Sequence, residues 1–144
     1  MQEHKDYPVR VTIVTLRFDE SGGGEKEEYT YAGRASDGDR YTLTYESGEG
    51  EEKQTTTLAF SPKTPEPMTL TQSGVIACKL CFDTEKPYST LYRVAGVGEL
   101  DMEIHTRSVA CEKTENGRRI RLDYEATVGG ARCRTVMTIL AVAV

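Results

Sequence analysis

The chain of 144 residues has no tryptophan, only three phenylalanines and two histidines, and no segment of helical periodicity long enough to bury a face. One histidine, His4, lies in a polar N-terminal stretch, so His105 stands alone and a metal site built from several imidazoles cannot be assembled from this chain. Long apolar runs are missing too. Val136 to Val144 is nine residues interrupted by Thr138, about half of the roughly 20 that a spanning helix requires. Met1 to Pro8 carries Glu3, His4, Lys5 and Asp6 where a secretion signal would be apolar, so the expected location is the cytoplasm and no membrane association is expected. Positive charge is in deficit. A net charge of −5 repels phosphate backbones and anionic lipid, which argues against nucleic acid as a partner. The acidic runs Glu25, Glu27, Glu28 and Glu49, Glu51, Glu52 lack the Asp-x-Asp-x-Asp-Gly order of a calcium loop. Gly22, Gly23 and Gly24 are followed by neither Lys-Ser/Thr nor a helix, so no phosphate loop is indicated. No cofactor is expected.

What the chain does contain is Thr, Tyr, Val and Gly, residues of pleated surfaces and tight turns. Short runs of apolar-polar alternation recur every ten to fifteen residues between Gly, Pro, Asn and Asp, the rhythm of sandwiches and barrels. Strands are expected at Val9–Phe18, Glu28–Ser36, Arg40–Ser47, Gln54–Phe60, Met68–Gln72, Val75–Asp83, Tyr88–Val94, Leu100–Glu112, Arg118–Thr127 and Ala131–Ala143. None of the intervening loops is long enough to link two domains. The expected fold is all-β: one antiparallel up-and-down barrel of eight to ten strands over residues 1–144, preceded by a polar tail at 1–7.

Turn chemistry extends this to register. Asn116-Gly117 suits a type I′ hairpin, which demands positive φ at both central residues. It would set Val109, Cys111 and Lys113 opposite Tyr124, Leu122 and Ile120, with Glu112 opposite Arg121 on the other face. Gly129-Gly130 sets Tyr124, Leu122 and Ile120 opposite Thr135, Met137 and Ile139, with Glu125 meeting Arg134 outside. A three-residue loop at Asp37-Gly38-Asp39 would align Tyr31 with Tyr45 and Ala35 with Tyr41. Between Leu100 and Cys111 the apolar phase switches, which requires a bulge near Thr106-Arg107-Ser108.

Cys78-Lys79-Leu80-Cys81 has the spacing of a zinc or redox motif, but Ile76, Cys78, Leu80 and Phe82 alternate with Lys79 and Cys81. Residues three apart on a strand point to opposite faces, so Cys78 reads as a small core residue. Cys111 and Cys133 fall on strands either side of Arg118–Thr127 and out of disulfide reach; all four thiols are expected free. No nucleophile accompanies His105, which reads as a solvated side chain, although Tyr92 or Glu103 beside it would make an acid-base pair. Arg118, Arg119, Arg121, Arg132 and Arg134 could form a stripe, and cross-strand pairing with Glu112 and Glu125 is the simpler account. Val136, Leu140 and Val142 face outwards in this register and invite a homodimer. The tyrosines are the unusual inventory. Inward tyrosines either fill a core or line a mixed pocket, and Tyr31, Tyr41, Tyr45, Tyr92 and Tyr124 are the candidate ligand-binding residues.

The succession Tyr41-Thr42-Leu43-Thr44-Tyr45-Glu46, Gln54-Thr55-Thr56-Thr57, Gln72-Ser73-Gly74, Tyr92-Arg93, Gly98 to Thr106 and Leu122-Asp123-Tyr124 resembles the uncharacterised bacterial YwiB-like family over nearly the whole chain. That resemblance implies a calycin-type, lipocalin-like barrel and no assigned activity. Gln72 stands where the family tends to have Arg, and Val94-Ala95-Gly96-Val97-Gly98 where it tends to have Thr-Pro-Tyr-Gly. The function expected from all of this is a non-enzymatic barrel holding a small, partly apolar ligand; the alternative is an interaction protein docking another protein, or itself, through an outer face, with RNA on the arginine stripe as the lesser option.

Overall fold

Period-two alternation does build ten strands here, and the structure, a computed structural model, describes residues 5–144. They are β1 (Lys5–Asp19), β2 (Gly24–Asp37), β3 (Tyr41–Ser47), β4 (Gln54–Phe60), β5 (Met68–Ser73), β6 (Ile76–Phe82), β7 (Tyr88–Val94), β8 (Gly98–Thr114), β9 (Gly117–Val128) and β10 (Ala131–Ala143). Every expected strand is present, with ends moved by a few residues. Lys5–Tyr7, expected in the polar tail, opens β1; the rest of that tail lies outside the described residues. Each strand pairs antiparallel with its neighbours in sequence, and β1 closes the ring against β10. Closing the ring gives every strand a partner on both sides for at least part of its length.

Two hairpins differ from expectation. Thr114 pairs with Gly117, so Glu115 and Asn116 form the turn, and Val109 and Cys111 lie opposite Leu122 and Ile120. Among the described residues no non-glycine has positive φ, so Asn116-Gly117 is not a type I′ turn. Gly117 is instead required for closeness: a Cβ there would stand 1.7 Å from the Ala141 carbonyl oxygen. In the second, Gly33 pairs with Tyr45 and Ala35 with Leu43. Both ladders are displaced by two residues, which keeps every side chain on its expected face. The Gly129-Gly130 hairpin follows the expected register, Tyr124 opposite Thr135 and Ile120 opposite Ile139, with both glycines at positive φ. The expected bulge lies between Thr106 and Ser108.

Inward positions form one core. Val11, Leu43, Leu58, Phe60, Met68, Phe82, Ile104, Ile120, Leu122 and Ile139 are all essentially inaccessible, each contributing about 1.5–3 kcal/mol by leaving water. Tyr41 plugs one end, tilted against Phe60 at 5.1 Å and capped by the Arg118 guanidinium 4.9 Å from its ring centre. The opposite end is looser. There the β2–β3 ladder stops at Gly33, having covered only Gly33–Ser36. β2 therefore runs on from Ala32 back to Gly24 paired with β1 alone. No helix among the described residues is long and apolar enough to cross a membrane.

Candidate functional site

Towards that looser end the inward positions turn polar. On one side, register places Tyr45, Thr56, Gln72 and Cys78 in a row across β3 to β6. Tyr31 stacks on Tyr45 at 5.2 Å and 11°, and Tyr29 on Tyr31 at 6.1 Å and 20°. On the other side Thr106, Tyr124, Thr135 and Arg17 form a second row across β8, β9, β10 and β1. Tyr92 joins the two, feeling both Cys78 and Arg17 electrostatically. The band grades from buried Thr56, Thr135, Tyr124 and Cys78 to half-buried Tyr31, Tyr45, Gln72 and Tyr92. Arg17 sits outermost and its Nη1 donates to Glu27 Oε2 at 2.9 Å.

Burial, more than any neighbour, raises the hydroxyl pKa of Tyr31, Tyr45, Tyr92 and Tyr124. All four are neutral donors at physiological pH. Hydrogen bonds from Thr56 to Tyr45 and from Thr135 to Tyr124 oppose the shift in part. The Cys78 thiol is also pushed up by burial and donates to Gln72 Oε1 at 3.3 Å; it is a protonated hydrogen-bonding group and not a nucleophile. Thr106 Oγ1 is buried without a partner.

The five candidate tyrosines are thus divided. Tyr31, Tyr45, Tyr92 and Tyr124 share the polar band, whereas Tyr41 fills the core at the opposite end. Arg17, Thr56, Gln72, Thr106 and Thr135 belong to the band and were not singled out from the sequence. Their signal was a polar residue at the inward parity of an apolar strand, as Thr15 and Arg17 follow Val9, Val11 and Ile13. A hollow of about 780 Å³ lies where β2 and β3 part, bordered by Pro8, Ala32, Arg34, Thr44, Tyr45 and Glu46.

Other candidates are not brought together. His105 is exposed on the outer face against Glu103, while Tyr92 points inwards. Cys78 faces the core and Cys81, paired with Thr69, the outer side; all four cysteines are free. Native alkylation should therefore label Cys81 well before Cys78, and added zinc should leave the melting temperature unchanged, since a ligand confined to the folded state would raise it. Equal labelling, or a zinc-dependent rise, contradicts this placement. Val136 does face outwards, yet it is buried there, and Leu140 and Val142 are half-buried.

Of the arginines, Arg119 meets Glu112 at 3.8 Å, not the expected Arg121. Arg134 lies opposite Glu125 but makes its ion pair with Asp123, Nε to Oδ1 at 3.1 Å and Nη2 to Oδ2 at 2.9 Å. The bidentate fork reaches one strand position further because Asp123 is the more sheltered carboxylate, its side chain 10% exposed. Those hydrogen bonds hold the Asp123 carboxyl below its usual pKa. A depressed folded pKa means stability present above the unfolded value of about 4 and lost as pH falls through the folded one. Arg134→Met is expected to lower stability at pH 7 by stranding a sheltered carboxylate. The difference from wild type should shrink below pH 4 in urea titrations; a pH-independent difference would assign the loss to packing.

The sequence profile of a domain of unknown function, DUF1934, matches residues 11–138. The chain belongs to the DUF1934 family. Its fold is similar to the crystal structure of the ywiB protein from Bacillus subtilis, with a TM-score of 0.82 and 22% identity, covering 96% of this chain and 93% of that one. No curated protein matches. The matched span of this DUF1934 chain includes all the band residues, Arg17 to Thr135.

Proposed function

We propose that this DUF1934 barrel is a non-enzymatic cytoplasmic binding module that holds a small, partly apolar molecule within the polar end of its interior. The observation that carries this reading is the inward band of hydroxyl, amide, thiol and guanidinium groups above an apolar floor. A barrel of this strand number is wide enough to hold one small ligand. Pockets of that kind pair apolar walls with a few convergent polar groups. Entry is available where the β2–β3 ladder stops at Gly33. Protonated tyrosines and a protonated Cys78 supply recognition and no acid-base pair.

The test is a small-molecule screen read by protein NMR and thermal shift. Hits are expected to raise the melting temperature and to perturb ring signals of Tyr31, Tyr92 and Tyr124. A screen whose hits perturb only outer-face residues such as Arg34 and Glu46 would transfer binding to the hollow between β2 and β3 and refute the interior site.

A further inference from the structure

Resting on that reading of the interior, we infer that the ligand is a planar aromatic molecule with an anionic substituent, its ring laid on the tyrosine stack and its anion on Arg17. Tyr29, Tyr31 and Tyr45 form a near-parallel succession of rings. Its inner end is fixed, since Tyr45 pairs with buried Thr56. Its outer end is open, with Tyr29 51% exposed. No strand lies beside β2 on that flank, because the ladder with β3 stops at Gly33. Ring faces presented in this way favour an offset flat ring as the next member of the stack.

Arg17 sets the polar end. Glu27 anchors its guanidinium through Nη1 and itself lies within electrostatic reach of Tyr31. Arg17 acts on Tyr92 and Tyr124 across the mouth. A guanidinium has five N–H donors, and the bond to Glu27 fixes the fork while leaving donors for a second acceptor. An alkyl chain fits worse. It would remove water from Gln72, Tyr45 and Tyr92 without replacing the lost hydrogen bonds, a penalty that an aromatic acid with its own acceptors avoids.

The experiment uses three probes on the full chain: 1-anilinonaphthalene-8-sulfonate as a planar aromatic anion, its neutral parent N-phenyl-1-naphthylamine, and laurate as an aliphatic anion. Saturable one-to-one binding of the sulfonate is expected. Tyr29→Leu combined with Tyr31→Leu should weaken it at least tenfold, whereas Tyr29→Phe, which keeps the ring, should not. Arg17→Met should weaken the sulfonate and leave the neutral parent unchanged; circular dichroism verifies folding of each variant. If laurate binds as tightly as the sulfonate, or the leucine pair binds the sulfonate like wild type, the ligand class is wrong and the interior site stands. If none of the three probes binds, the interior reading fails and this inference with it.

Discussion

Gly117→Ala is expected to lower stability by about 3 kcal/mol, at the upper end of what overpacking costs, seen as a fall in urea midpoint. The added Cβ would lie 1.7 Å from the carbonyl oxygen of Ala141, 2.8 Å from its carbon and 3.1 Å from the Val142 Cα. These are backbone atoms of a strand locked on both sides, by β9 and by β1, so no side chain can swing away. Relief requires β9 and β10 to separate where Val142 pairs with Gly117 and the Ala143 amide donates to the Asn116 carbonyl at 2.8 Å. For a domain of this size the melting temperature should fall by roughly 10 °C. Asn116→Ala is the matching control. A type I′ turn would make that change expensive, because Asn tolerates positive φ better than Ala; with Asn116 at negative φ it should be almost neutral. Strong destabilisation by Asn116→Ala together with a tolerated Gly117→Ala would restore the turn that the dipeptide suggests.

That hairpin also shows what the residue pattern can and cannot carry. A one-residue slip turns a strand inside out, burying Arg119, Arg121, Asp123 and Glu125, so alternation excludes it. A two-residue slip returns every side chain to its own face, and alternation is blind to it. The shifts at Thr114–Gly117 and at Gly33–Tyr45 are both of this kind. At Gly129-Gly130 two adjacent glycines at positive φ selected one turn, and the register there is the expected one. The site was legible to the same extent. Tyr31, Tyr45, Tyr92 and Tyr124 could be assigned to the inner wall from parity alone. Their height along the barrel axis depends on stagger between strands, which no single strand encodes. Tyr41 and Tyr45 share a strand and a face, yet four residues of rise put one in the sealed end and the other at the mouth. Arg17, Thr56 and Gln72 were hidden for the same reason: a polar residue at inward parity reads as an interruption until neighbouring strands show that several stand at one level.

The boundary between apolar floor and polar band rests on Phe82, and Phe82→Ala is expected to cost about 4 kcal/mol. The ring is wholly inaccessible, stands opposite Met68 and packs tilted against Tyr124 with centroids 4.9 Å apart. Removing it takes away its burial, its tilted ring contact and the surface on which the Tyr124 ring leans. Met68 and Ile104, both fully buried, belong to strands held in closed ladders, so the vacancy collapses only in part. An apolar void under Tyr124 should stay dry and accept benzene, which raises the melting temperature of the variant and not of the wild type. The aromatic sulfonate probe separates floor from mouth. If the ring stack and Arg17 hold it near the opening, its affinity in Phe82→Ala should change by less than about threefold once the protein is folded, a difference under about 0.7 kcal/mol. A loss as large as that of the Tyr29→Leu, Tyr31→Leu pair would place the ligand deep against Tyr124, with Thr106 Oγ1 as its nearest unpaired donor.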